Sequence, residues 1–232
     1  MPGAAEVAAW PSRELRLRTA SALVLAPLAL LVAWIGGVPW AALLAGFSVL
    51  LVIEWVGLTT RWPLAARLVG LPYIGCAVAG LLFLRADPAV GRSATLFVVL
   101  VVWASDIGAF VAGRAIGGPR LAPAISPGKT WSGAAGGLIT AVVVAALVIE
   151  VAGYAVTAAS LGVATLIAVA SQAGDLVESA IKRSAGVKDS SKLIPGHGGA
   201  FDRLDGMLTA APIAAVLAWI AGPGEPFWSV WR

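Results

Sequence analysis

Acidic residues gather in the last third of the chain, among lysines and arginines. Asp175, Glu178, Asp189, Asp202 and Asp205 lie within about thirty residues of one another. The basic residues in the same stretch are Lys182, Arg183, Lys188, Lys192 and Arg203. Carboxylate oxygens are the ligands that Mg²⁺ takes in proteins, and fixed cations bind phosphate oxygens directly. The mixture predicts a site for a metal ion and nucleotide phosphates.

The spacing of these residues indicates how helices present them. At 100° per residue, Asp175, Glu178, Ser179 and Lys182 fall on one face of a helix. Such a polar stripe either faces a cavity that holds metal and phosphates, or is an ion pair that neutralises itself. Asp202 and Asp205 would share a face at the start of the next helix, where aspartate is also a common cap.

Two segments rich in glycine, proline and charge, 113–132 and 184–206, are predicted to be non-helical over much of their length. The first contains the run from Ser126 to Thr130. It lacks the glycine spacing of a Walker A loop, but Lys129, two hydroxyls and exposed N–H groups make either an anion site or a polar turn. The second contains His197-Gly198-Gly199, where glycines allow the backbone to approach a ligand, although a loop histidine is often structural.

The elements that must position these residues are predicted to be membrane helices. The chain of 232 residues is 59% hydrophobic and 12% charged, with a mean hydropathy of +0.92. A soluble domain has about 25% charged residues, so the solvent is lipid. We expect an all-α integral membrane protein with about seven transmembrane helices, six to nine fitting the pattern. The predicted spans are Ala20–Ile35, Pro39–Leu58, Leu68–Leu84, Ala94–Ala112, Gly133–Ala152, Ala158–Ala173 and Met207–Ala221.

The distribution of positive charge predicts the orientation. Residues 1–19 form a cytoplasmic lead, and residues 20–232 form one polytopic domain. With this topology thirteen of the 16 Lys and Arg residues face the cytoplasm. Both polar segments then lie inside, which predicts a polar catalytic cavity on the cytoplasmic side. Glu54, Asp106 and Asp175 are expected at a similar depth, as site residues or as partners in helix packing.

Composition also excludes some functions. The basic residues lie between apolar runs, so the net charge of +4 does not predict nucleic-acid binding. One Cys and one His cannot build a structural zinc site of Cys and His ligands.

The segment Ser179–Asp205 resembles, without a gap, the signature of the phosphatidate cytidylyltransferases, also called CDP-diacylglycerol synthases. Asp106–Phe110 with Gly113-Arg114, and Ile125–Gly133, are similar to two further segments of that family, except that Ser132 stands where the family has an acidic residue. The resemblance implies an enzyme of phospholipid biosynthesis, in the cell (inner) membrane, that joins CTP and phosphatidic acid into CDP-diacylglycerol and pyrophosphate.

The resemblance implies roles residue by residue. Mg²⁺ is the implied cofactor, with a second cation left open, and its ligands are Asp175 and Asp202, followed by Asp205 and Glu178. The residues expected to be catalytic are Asp175, Asp202, Lys182, Arg183, Lys188, Asp189, Arg203 and Asp205. Those expected to bind substrate are Ser126, Lys129, Thr130, Asp106, Ser179, His197, Gly198 and Gly199.

Three alternatives stay open at this point. The first is a CTP-dependent enzyme acting on another lipid, an archaeal ether-lipid phosphate or a polyprenol. The second is an ion-coupled transporter, which explains carboxylates in the membrane but not the charged segment 189–205. The third is a non-catalytic membrane scaffold, against which the intact set of charges argues. The oligomeric state is undetermined, a homodimer being one alternative.

Overall fold

The structure, a computed structural model, describes the backbone of residues 12–191 and 198–230 and the side chains from residue 23 within these ranges. Eight helices follow one another in these ranges, and a hairpin of two short strands separates the fifth from the sixth. The elements are α1 (Ser12–Ile35), α2 (Gly37–Leu58), α3 (Leu64–Leu68), α4 (Gly70–Ala86), α5 (Gly91–Ile116), β1 (Arg120–Ala122), β2 (Ser126–Thr130), α6 (Trp131–Val151), α7 (Ala158–Ser184) and α8 (Phe201–Ala221). A single 3₁₀ turn, Phe227–Ser229, follows α8.

Among the described residues, six helical stretches are long and apolar enough to cross a membrane, which confirms the predicted class of multi-pass membrane protein. They coincide with the second to seventh predicted spans: Gly37–Leu58, Leu64–Ala86, Gly91–Ile116, Trp131–Val151, Ala158–Ser184 and Phe201–Ala221. The first predicted span falls within α1, whose described apolar part, Leu23–Ile35, is shorter. A seventh span therefore stays a prediction.

The third predicted span contains a join between two helices. Leu68–Leu84 begins in α3 and continues in α4, and the two meet at Gly70. A Cβ at Gly70 would lie 1.9 Å from the indole of Trp55, so the contact requires glycine. The indole Nε1 of Trp55 also donates a hydrogen bond of 2.7 Å to the carbonyl of Arg67. The end of α2, including the neighbouring Glu54, is thereby fixed against this join.

Small residues bring α5 and α6 into close contact. A Cβ at Gly133 would lie 2.8 Å from the carbonyl oxygen of Ala109, and one at Gly136 would lie 2.2 Å from the Cβ of Ala112. Helices in lipid gain packing energy when such residues let their backbones approach. This contact sets the last turns of α5 beside the hairpin that leads into α6.

The hairpin is an element that the all-α prediction omitted. Strands β1 and β2 are antiparallel, with Arg120 opposite Thr130 and Ala122 opposite Ser126. The sequence gives no strand pattern here, because Ser126-Pro127-Gly128 is poor in strand-forming residues. Thr130 ends β2 and caps α6, since its Oγ1 accepts a 3.0 Å hydrogen bond from the N–H of Gly133.

Helices α7 and α8 also meet through glycine. A Cβ at Gly174 would lie 2.2 Å from the hydroxyl of Thr209 and 2.5 Å from the carbonyl of Asp205. One turn along, a Cβ at Gly206 would lie 2.3 Å from Ser171 Oγ. Because no side chain separates the backbones, the carboxylates that follow Gly174 on α7 come close to those in the first two turns of α8.

Candidate active site

A cavity of about 550 Å³ lies between the hairpin and the adjoining parts of α5, α6 and α7. Its charged lining comes from Asp106, Arg114, Arg120, Lys129 and Asp175. The volume is within the range of about 300–1,000 Å³ that small-molecule sites occupy. Both signs of charge face the same space, as the sequence predicts for a site that binds phosphates and a cation.

An ion pair crosses this cavity. Lys129 Nζ, from β2, lies 2.6 Å from Asp175 Oδ2 on α7, and the two side chains are 24% and 33% exposed. The pair brings the first polar segment into contact with the acidic helix α7. Because both groups reach solvent, their attraction is partly screened.

Three carboxylates form a cluster beside the cavity. Asp175, Glu178 and Asp205 each place an oxygen within 4.8 Å of the others. Asp175 and Glu178 are three residues apart on α7, and Asp205 arrives from α8 through the close contact at Gly174. Carboxylates this close repel one another unless a cation or a proton compensates them.

The buried member of the cluster has unused acceptors. Glu178 is 1% exposed, and its Oε1 lies 2.7 Å from Lys182 Nζ, one turn along α7. Neither oxygen of Glu178 forms a hydrogen bond of acceptable geometry among the described residues. A buried, under-coordinated carboxylate with two carboxylate neighbours fits a hard divalent cation, so Asp175, Glu178 and Asp205 suit such an ion.

Asp202 lies next to the cluster but is fully hydrogen-bonded. Its Oδ1 accepts a 2.6 Å bond from Lys182 Nζ, which thus bridges Asp202 and Glu178. Its Oδ2 accepts from the N–H of Ser190, the N–H of Gly199 and the hydroxyl of Ser190, at 2.9, 2.8 and 2.9 Å. In this arrangement Asp202 holds Ser190 and Gly199, and its assignment as a metal ligand stays a prediction.

The other residues predicted for the site are distributed around it. Ser126 lines the cavity, Thr130 caps α6, and Ser179 is buried on α7. Arg183 donates to the carbonyl of Ile125 at 3.2 Å, which links the end of α7 to the hairpin.

The polar segment after α7 contributes less to the described site. Lys188 and Asp189 are exposed, and within the described ranges no hydrogen bond or ion pair connects them to the carboxylate cluster. Gly198 has a φ of +78°, a conformation that favours glycine. Arg203 lies exposed in the first turn of α8. His197 is outside the described residues.

Sequence analysis did not assign to the site three of the side chains that line the cavity. Arg114 and Arg120 line the cavity, and the segment Gly113-Arg114 was the only signal for them. Gln172 Nε2 donates to Ser105 Oγ at 3.2 Å and to Ala134 O at 3.1 Å, and so ties α7 to α5 and α6. The sequence signal for Gln172 is a polar amide within an otherwise apolar run. Glu54 takes part in helix packing through hydrogen bonds to the segment before α8.

The opposite end of the bundle has a different character. A mainly apolar cavity of about 260 Å³ lies there beside Asp87, between the end of α4, the start of α5 and the end of α8 with the segment that follows it. The carboxylate of Asp87 accepts hydrogen bonds from the N–H groups of Val90, Gly224 and Ala89, at 3.0, 2.7 and 2.8 Å. These bonds, that of Val90 first, lower the pKa of Asp87. Asp87 therefore stabilises the connection between α4 and α5 and the turn after α8.

Comparison with known proteins agrees with this geometry. A sequence model described as the Cytidylyltransferase family matches residues 60–221. A phosphatidate cytidylyltransferase of Brucella suis is 46% identical over 189 residues, 79% of this chain and 67% of that protein. One of Pseudomonas aeruginosa is 39% identical over 202 residues, 79% and 73% of the two chains. One of Rickettsia bellii is 32% identical over 213 residues, 86% and 89%. The match includes the hairpin, the acidic helix α7 and α8, and the chain therefore belongs to the Cytidylyltransferase family.

Proposed function

We propose that this chain transfers CMP from CTP to phosphatidic acid, and so forms CDP-diacylglycerol and pyrophosphate. The observation that carries the proposal is the meeting of Lys129 with Asp175, at a cavity that adjoins three clustered carboxylates in a bundle of membrane helices. The relatives named phosphatidate cytidylyltransferase support the same substrates. They do not favour an enzyme of another lipid or a transporter.

The reaction needs little acid–base chemistry. An oxygen of the phosphatidate phosphate attacks the α-phosphorus of CTP, a new P–O bond forms, and the bond to pyrophosphate breaks with its electron pair. The attacking phosphate is already an anion, so no strong base is required. The barrier comes from bringing anions together and from charge on the leaving group, which positioning and electrostatics reduce.

The cations of the cavity bind the nucleotide in this proposal. Lys129 exchanges Asp175 for a phosphate oxygen, and Arg114 and Arg120 neutralise further charge from the same wall. The hydroxyl of Ser126 donates a hydrogen bond, and Asp106 accepts one from a hydroxyl or amino group of the nucleotide. While no substrate is bound, the ion pair of Lys129 and Asp175 keeps the charge of the cavity balanced.

The carboxylates provide the cation site. Asp175, Glu178 and Asp205 would hold Mg²⁺, and we keep Asp202 as a fourth candidate that Lys182 would have to release. When it is bound, the ion neutralises phosphate oxygens and stabilises charge on the pyrophosphate. Lys182 remains beside Glu178 and balances the negative charge that surrounds the site.

The membrane provides the second substrate. The acyl chains stay in the bilayer while the phosphate reaches the cavity at the end of the bundle, on the side that the positive-inside rule assigns to the cytoplasm. We propose the inner membrane as the location. A homodimer stays a prediction.

The test is a transfer assay with purified protein. The chain in detergent receives CTP labelled at the α-phosphorus, Mg²⁺, and either phosphatidic acid, an ether-linked phosphatidate or a polyprenyl phosphate. We expect labelled CDP-diacylglycerol and an equal amount of pyrophosphate with phosphatidic acid, and neither with EDTA. Transfer to only one of the other lipids would overturn the assigned substrate, and no transfer to any of them would overturn the reaction.

A further inference from the structure

Glu54 is a buried carboxylate whose partners are far away in the sequence. It belongs to α2, is 3% exposed, and lies outside the residues that the family sequence model matches. Its Oε1 accepts from Ser191 Oγ at 2.7 Å and from the N–H of Ala200 at 2.9 Å. Its Oε2 accepts from Ser190 Oγ and from the N–H of Phe201, both at 2.8 Å. Within the described ranges it has no salt bridge.

The N–H groups of Ala200 and Phe201 show that Glu54 takes the place of a side-chain cap at the start of α8. Ala200 and Phe201 are the N-cap and first residue of α8, and the N-cap makes no side-chain cap of its own. The first N–H groups of a helix have no partner within the helix, and a negative charge there is favourable. Glu54 therefore caps α8 from another helix, and the cap fixes where α8 begins.

The contact also reaches the site through Ser190. The hydroxyl of Ser190 lies 2.8 Å from Glu54 Oε2 and 2.9 Å from Asp202 Oδ2. A hydroxyl has one hydrogen, so it donates to one carboxylate at a time and couples the two. Asp202 in turn binds Lys182, which contacts Glu178.

A glycine makes this arrangement possible. A Cβ at Gly199 would lie 2.1 Å from Ser190 Oγ and 2.5 Å from both carboxylate oxygens of Glu54. The backbone before α8 therefore lies directly against the Glu54 carboxylate. Movement of that carboxylate would therefore shift the first two turns of α8, which carry Asp202 and Asp205.

We infer that Glu54 is a positioning residue for the transfer reaction: it holds the start of α8, and through it Asp202 and Asp205, in the geometry that the site requires. The expected effect on kcat rests on the proposed function, whereas the expected effect on the start of α8 does not. Glu54 touches neither the cavity lining nor the carboxylate cluster, so it acts through the residues it holds.

The test compares Glu54→Gln with a matched control. Glutamine keeps the size of the side chain but loses the charge and presents N–H groups to N–H groups. Groups that orient the ligands of a site typically change activity 10–100-fold when they are lost. We expect kcat per folded molecule to fall by about that factor, while the KM for CTP, which depends on the hairpin, stays near the wild-type value. Glu150→Gln, at an exposed glutamate of α6, should leave both unchanged.

Hydrogen exchange separates this inference from the proposed function. The amides of Ala200 and Phe201 should exchange faster in Glu54→Gln than in the wild type, even if the wild type transferred no CMP. If Glu54→Gln does not accumulate, Ser190→Ala with Ser191→Ala removes two of the four donors and should act in the same direction. A wild-type kcat together with wild-type exchange at the two amides, in whichever variant folds, would overturn the inference. Inactive wild-type protein would count only against the proposed function.

Discussion

Replacement of Lys182 by methionine should destabilise the protein strongly. Lys182 Nζ lies 2.7 Å from Glu178 Oε1 and 2.6 Å from Asp202 Oδ1, and the three side chains are 12%, 1% and 7% exposed. The substitution keeps the apolar stem but leaves two buried carboxylates without their cation. Breaking a buried ion pair by removing one partner costs about 3–5 kcal/mol. In a chain of this size 1 kcal/mol shifts Tm by about 2–4 °C, so the expected fall is about 6–20 °C.

Tryptophan fluorescence during a thermal ramp, in one detergent at pH 7, measures this change. Lys188→Met is the matched control, since Lys188 is exposed, and its Tm should stay within about 2 °C of the wild type. Adding Glu178→Gln and Asp202→Asn to Lys182→Met should restore most of the Tm, because the two unpaired buried negative charges are removed. The transfer activity should not return. A Tm for Lys182→Met within the range of the control would refute the assigned ion pairs.

Two further predictions concern the two ends of the bundle. Lys129→Ala should raise the KM for CTP about tenfold or more, since a hydrogen bond to a charged group is lost. Steady-state kinetics with varied CTP measures this, and an unchanged KM would contradict the role of the hairpin. Asp87→Ala should lower the Tm at pH 7, and the difference from the wild type should disappear as the pH falls below about 4 and through the lowered pKa of Asp87. A difference that persists at the lowest pH would show that the charge of Asp87 is not the cause.

The membrane helices and part of the site follow from local sequence patterns. Runs of apolar residues locate six spans, because length in lipid is fixed by the bilayer, and four of the six agree with the structure to within about four residues at each end. The polar ends of the other two were missed: α7 continues past Ala173 to Ser184, and α8 begins at Phe201, before Met207. The helical period places Asp175, Glu178 and Lys182 on one face, where the structure has them. For Glu178 and Lys182 the ion pair is observed, and their part in a site for metal and phosphates stays a prediction.

The remaining features depend on contacts between distant segments. The hydrogen bond between Glu54 and Phe201 joins residues 147 positions apart, which no period in one sequence indicates. The approach of Asp205 to Asp175 depends on the missing side chain of Gly174, and glycine occurs 27 times in the chain, so its position alone is not informative. The hairpin is held by its connection between α5 and α6 more than by strand propensity.

The most direct test of the carboxylate cluster measures cation binding without turnover. Mn²⁺ is titrated into the purified wild type and into Asp175→Asn and Asp205→Asn, and free Mn²⁺ is followed by electron paramagnetic resonance. The account predicts one saturable site in the wild type, with affinity at least about tenfold weaker in either variant, since loss of an outer partner alone costs 10–100-fold. Wild-type affinity in both variants would contradict the assignment of Asp175 and Asp205 to the cation site.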